Sequence, residues 1–153
     1  MKKELRALLD KIASTASFSG VDSSDVNATN SDGDNGLHCV VGWGDLEAAK
    51  LLVAAGVEVN QFGDLGFTPL HLACMKGDFA LVEFLISSGA DLFAQSEGEL
   101  PFSIARLYGH DAICEYLAPL VDRHLQADPQ AYIKSRIAQL KREIDKLEAK
   151  LRT

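Results

Sequence analysis

The chain has 153 residues, 47% of them hydrophobic and 24% charged, with a formal net charge of −7. That balance fits one soluble domain with its own core and excludes a disordered tail, and no apolar run approaches the roughly 20 residues that span a bilayer. The charge is segregated. Residues 30–122 hold three basic residues (Lys50, Lys76, Arg106) against fourteen acidic ones, a net −11, whereas residues 130–153 carry a net +4. An acidic middle of that size excludes nucleic acid as its partner.

In chain order, the first element is a helix. Leu5, Leu8, Leu9 and Ile12 form an apolar stripe over residues 2–16, and the start MKKELRALLDKIA lacks the apolar block of a signal peptide. The pattern predicts an N-terminal cap on a chain that stays in the cytoplasm. The next stretch, SFSGVDSSDVNATNSDG, is rich in serine, aspartate and glycine and reads as loop over 17–33. Its glycosylation acceptor, Asn27-Ala28-Thr29, is a chance match without a secretory route.

From there the sequence repeats itself. GDNGLHCVVGWGDLEAAKLLVAAGVEVN (33–60) aligns with GFTPLHLACMKGDFALVEFLISSGADLF (66–93) at an offset of 33 residues, and a third copy starts at Gly98 after a 32-residue step. Gly33/Gly66, Leu37/Leu70, His38/His71, Gly44/Gly77, Asp45/Asp78, Leu52/Leu85 and Gly56/Gly89 coincide. Each unit predicts helix, turn, helix. Thr68 caps the first helix, Pro69 occupies its first turn, Gly77 permits the turn, and Leu81, Val82, Phe84, Leu85 and Ile86 form the buried face of the second helix, which Gly89 ends. The first unit has Asn35-Gly36 in place of Thr68-Pro69, which predicts a softer helix start. The third has Leu100 and Ser103 where the second has Thr68 and His71, so the associated hydrogen bonds are expected to be missing there.

After Asp128-Pro129, Ile133, Ile137, Leu140, Ile144, Leu147 and Leu151 recur at alternating steps of four and three, a heptad seam on a helix predicted over 129–152. A parallel homodimer through that seam would oppose Arg136 to Lys141 and Glu143 to Glu148. An antiparallel pair, another partner helix, or folding back onto the repeats through Ile137, Leu140, Ile144 and Leu147 suits the charges better.

The string GFTPLHLA, the following Gly-Asp turn, LVEFLISSGAD and the 33-residue period together resemble the ankyrin repeat. The resemblance covers residues 26–121 and implies an all-α solenoid: a cap over 1–29, three repeats over 30–122 and a long heptad helix over 123–153. It also implies a function, protein binding through a concave face and the finger-like turns beside it. The pair before each inter-helix glycine, Gly42-Trp43, Met75-Lys76 and Leu107-Tyr108, falls at the end of the first helix on that face. Asp32, Asp34, Asp64, Leu65, Phe67, Glu97 and Glu99 fall on the fingers. Trp43 and Tyr108 are then aromatic anchors flanking Lys76, with Gly42 clearing room beside the indole, and the finger acids favour a basic protein partner. A lone acidic chain of this build resembles small bacterial ankyrin proteins that act as immunity partners, inhibiting a toxin by occlusion. The competing reading is a scaffold or regulatory adaptor that self-associates through the C-terminal helix.

Chemistry is not expected. His71 and Cys74 share a helical face, as do His110 and Cys114, but a closed zinc site needs four ligands and neither pair has a second pair at suitable spacing. The glycines are accounted for by turns, and neither a Gly-x-Ser-x-Gly elbow nor a phosphate-binding loop is present. No metal, cofactor or enzymatic activity is predicted, and Cys39, Cys74 and Cys114 read as reduced core thiols.

Overall fold

The computed structural model describes residues 2–152, which form eight α-helices and no extended strand. Met1 and Thr153, the outer bounds of the predicted cap and terminal helix, lie outside the described residues. Helix α1 (Lys2–Ala13) buries Leu9 and Ile12 against the first repeat. A 3-10 turn at Ala16–Phe18 follows, and Phe18 enters the core from a segment that the sequence marked only as loop.

The repeats form two rows. Helices α2 (Gly36–Trp43), α4 (Pro69–Lys76) and α6 (Pro101–Leu107) lie side by side in the first, and α3 (Leu46–Ala54), α5 (Phe79–Ser87) and α7 (Asp111–Ala127) in the second. Between the rows Leu37, Leu52, Leu70, Leu81, Leu85, Ile113 and Leu117 are fully buried. Each such side chain contributes about 1.5–3 kcal/mol, so a repeat is stable only with its neighbours stacked on it. The inter-helix glycines Gly44 and Gly77 sit at φ 72° and 73°, the left-handed region that ends α2 and α4. Asp45 and Asp78 then cap α3 and α5 by accepting from the amides of Ala48 and Leu81.

The start of α2 is better fixed than its sequence implied. Asn35 is buried, its side-chain oxygen accepts from the Leu37 amide at 3.1 Å, and its side-chain nitrogen donates to the Glu58 carbonyl at 2.9 Å. A second bridge recurs at the repeat period. Asn27 accepts from the Glu58 amide and donates to the Gly56 carbonyl, and Asn60 does the same with Asp91 and Gly89. Each asparagine thus ties one repeat to the end of the next. Asn60→Ala should lower stability by about 1–2 kcal/mol, the cost of leaving two backbone groups unpaired, and urea midpoints at constant slope measure it.

The C-terminal region differs most from expectation. Helix α7 runs on through Pro119 to Ala127, past residue 122, and α8 (Ala131–Leu151) then folds back on the repeats. Its contact is polar. Ser135 donates to Asp91 at 2.6 Å, Gln139 donates to the Gln95 carbonyl at 2.6 Å and accepts from the Gln95 amide at 3.2 Å, and the Arg142 guanidinium lies 5.9 Å from the Phe62 ring centre. Ile137, Leu140, Ile144 and Leu147, which folding back through the seam would have laid on the repeats, face away with 39–60% of their surface exposed, so of the three arrangements the sequence left open that one is not adopted. Two hydrogen bonds from one glutamine and a hydroxyl–carboxylate contact fix the helix in place of apolar packing.

Candidate functional site

Three finger turns project beside the first-helix row. In each a glycine takes a left-handed conformation: Gly33, Gly66 and Gly98, at φ 92°, 77° and 90°. Histidines hold the finger bases. His38 on α2 donates through Nε2 to the Phe67 carbonyl at 3.0 Å, and His71 on α4 donates to the Glu99 carbonyl at 3.2 Å, while their Nδ1 atoms accept from the amides of Asn35 and Thr68. Burial pushes the pKa of both imidazoles down, that of His71 to about 4, so the neutral ring accepts on one side and donates on the other. As the sequence implied, α6 has no side-chain cap at Leu100.

Hollows follow one another along this face. The first is lined by Asp34, Cys39, Gly42, Trp43 and Leu72, the second by Asp34, Asp64, Leu65, Phe67, Leu72 and Met75, and the third by Glu99, Ser103, Arg106 and Leu107. The first two share Asp34 and Leu72 and form a continuous groove. Six of the residues singled out in the sequence therefore line one groove, Asp34, Trp43, Asp64, Leu65, Phe67 and Met75, while Glu99 and Leu107 line the separate third hollow. Tyr108 closes α6 with 53% of its surface exposed, and Asp32 and Glu97 stand at exposed finger tips outside the hollows.

Three of these side chains have attachments the sequence did not reveal. Lys11 of α1 sits 4.5 Å from the Trp43 ring centre, so one face of the indole is covered by the cap while 40% of the residue stays exposed. Lys76 does not stand between Trp43 and Tyr108 as a free cation; its ammonium donates to the Gly42 carbonyl at 2.7 Å. Asp34 is a strut, accepting from the Asp64 amide at 3.1 Å and so joining the first finger to the second. A methyl group at Gly42 would meet nothing within 4 Å beyond its chain neighbours and its own helix backbone, so no other part of the fold requires glycine there.

Leu72, Ser103, Arg106 and Phe18 line the hollows without having been anticipated. Leu72 was within reach of sequence reasoning, since it lies one helical turn before Met75 and on the same face. Phe18 was not, because it arrives from an irregular segment.

Leu65 stands out. It is 61% exposed and its backbone is left-handed, at φ 53° and ψ 17°, as is that of Glu97 at φ 50° in the next finger. That conformation disfavours any residue with a Cβ, yet here it carries a leucine whose side chain is largely exposed to solvent.

The family profile described as ankyrin repeats, in three copies, matches residues 5–96 and 63–131. The chain belongs to the ankyrin-repeat family. Among the relatives, protein phosphatase 1 regulatory subunit 27 from Mus musculus is 46% identical over 66 residues, 42% of this chain and 43% of that protein. The Homo sapiens counterpart matches to the same extent. The ARF GTPase-activating protein GIT2 of Mus musculus is 39% identical over 83 residues, 53% of this chain and 12% of that protein. The chain thus spans less than half the length of these relatives. Among the described residues no helix is long and apolar enough to cross a membrane, and no three His, Cys, Asp or Glu side chains converge to hold a metal ion. The ankyrin architecture, with these relatives, identifies a module for protein–protein interaction. The thiols are unpaired, and burial raises Cys39 to about 11 and Cys74 to about 12.

Proposed function

We propose that this ankyrin chain is a non-enzymatic binding module that grips a basic segment of a protein partner along the groove from Trp43 to Met75 and the hollow beyond it at Leu107. The observation that carries the reading is the coincidence of exposed Trp43 and Leu65 with a continuous groove on the face that ankyrin proteins use, with exposed Leu107 and Tyr108 beyond its end. Apolar anchors in a hollow with a charged rim are the usual anatomy of a binding hot spot. Asp32, Asp64, Glu97 and Glu99 supply an acidic rim whose side chains are exposed. Unpaired thiols of raised pKa suit a cytoplasmic setting.

A regulatory-subunit role is the second reading, favoured by the 46% identity over 66 residues to a protein phosphatase 1 regulatory subunit. Toxin occlusion draws no support from the names of these relatives. The test immobilises the full chain beside a variant with Asp32, Asp64 and Glu97 changed to Asn or Gln. The partner captured by the parent chain should associate with the variant about tenfold more slowly at low salt, and the difference should close near 1 M salt, where the screening length is about 3 Å. Equal association rates at low salt would refute the basic partner. Direct titration with a protein phosphatase 1 catalytic subunit tests the second reading, and absence of binding overturns it.

A further inference from the structure

Helix α8 buries its polar side and turns its apolar side outward. With successive residues about 100° apart around a helix, Ser135, Gln139, Arg142 and Lys146 occupy a face roughly opposite that of Ile137, Leu140, Ile144 and Leu147. The first face meets the repeats: Ser135 bonds Asp91, Gln139 is buried against Gln95, and Arg142 and Lys146 border a hollow with Asn60 and Phe62. Beyond Gln139 every described residue of the helix is exposed, including Leu140, Ile144 (53%), Leu147 (60%) and Leu151 (86%). A helix that served only its own chain would present the seam to the core.

We propose that this outer half of α8 pairs with the same segment of a second copy, antiparallel and staggered. Leu140 packs against Leu151 of the second copy, and Ile144 against its Leu147, each contact occurring twice by symmetry. The flanking charges select this register. Lys141 falls beside Glu148 of the second copy, and Glu143 beside its Lys150. The in-register parallel pair sets Arg136 against Lys141 and Glu143 against Glu148. The antiparallel register that aligns all six seam residues sets Glu143 against Glu143, Lys141 against Lys141, and Arg136 against Lys150. Sliding a further heptad in that direction matches Arg136 with Glu143 but places Lys134 against Lys141. Only the staggered antiparallel register has opposite charges at every flanking contact.

The geometry accommodates such a pair. Because the repeats dock on the side opposite the seam, the two ankyrin stacks lie on the outside of the helix pair and do not obstruct it. The helix is also already formed and anchored through Gln139, so pairing need not order it. Apolar contact supplies the attraction, and the exposed ion pairs choose the register.

Mass measurements on the full chain by sedimentation equilibrium test the proposal, and do so independently of the groove and its partner. The parent chain should be a dimer at high micromolar concentration. Leu147→Asp should weaken the dimer at least tenfold, on the scale of a central interface residue, with the helical circular dichroism retained. Lys141→Glu and Glu148→Lys should each weaken it alone, whereas an equal mixture of the two variants should restore it. In the mixed dimer the introduced glutamate faces the introduced lysine, and the other contact keeps its original pair. A monomer at every concentration, a dimer indifferent to Leu147→Asp, or a Lys141→Glu chain that dimerises more tightly would overturn the proposal, the last by revealing the parallel pair.

Discussion

Acidification from about pH 7 to about pH 4 should cost the folded chain about 3 kcal/mol through His71 alone, at about 1.4 kcal/mol per unit of pKa difference. His71 is fully buried, and its pKa is lowered to about 4, first by burial, with the opposing hydrogen bond to the Glu99 carbonyl too weak to compensate. The folded pKa lies below the ordinary value of about 6.5, so the unfolded chain takes up the proton first. The stability this histidine confers is therefore complete above about pH 6.5 and is lost as the pH falls toward 4. His38 is shifted in the same direction for the same main reason and steepens the loss. The chemistry is local: a proton on Nδ1 would turn the acceptor of the Thr68 amide into a second donor facing it. Asp22, Asp128 and Glu4 also have lowered pKa values, but carboxylates of that kind lose their contribution below about pH 4, outside the histidine window. Urea denaturation at a series of pH values measures the slope. His71→Gln should be less stable at neutral pH and should flatten the dependence by about one proton between pH 6.5 and 4. An unchanged slope in that variant would show that His71 does not titrate in this window.

Because these histidines hold the carbonyls of Phe67 and Glu99, their protonation should also loosen the second and third fingers. The residues that stabilise the stack are thus the ones that aim the face proposed to bind a partner. That coupling was foreseeable from one part of the sequence and hidden in another. The 33-residue period aligned His38 with His71 and placed the turn glycines, because a solenoid repeats its chemistry at fixed spacing. The same period carried Asn27 and Asn60, whose bridging role needed only to be sought at that offset. The orientation of α8 left no such trace. A four-three spacing of Ile and Leu signals an apolar interface without saying with what, and the contacts that decided the matter, Gln139 with Gln95 and Ser135 with Asp91, are single polar pairs between distant segments. Lys11 on Trp43 and Asp34 on the second finger are of the same kind. They depend on tertiary proximity, which periodicity does not encode.

Leu65→Gly should separate binding from stability in opposite directions. The left-handed backbone at Leu65 costs a residue with a Cβ about 1–2 kcal/mol, and glycine adopts it without strain. Glycine's larger unfolded-state entropy takes back part of that gain, so the variant should be equally stable or more stable by up to about 1 kcal/mol. Since little of the side chain is covered by its own fold, its loss leaves no internal cavity. Partner affinity should nevertheless fall about tenfold or more, because on the proposed reading the exposed leucine that lines the groove with Phe67 and Asp64 is the group a partner would bury there. Glu97→Gly relieves the same strain in the next finger without removing an apolar contact, so it should raise stability and alter affinity less. Trp43→Ala is the counterpart at the other end of the groove. It should weaken binding by about 2 kcal/mol while costing only about 0.5–1 kcal/mol of stability, the scale of the Lys11 cation–π contact that the fold itself makes with the ring. Affinity and melting temperature measured on the same samples distinguish the outcomes. A Leu65→Gly chain that melts lower and binds as before would mean that the leucine braces its own finger, and the groove would then lose its central anchor.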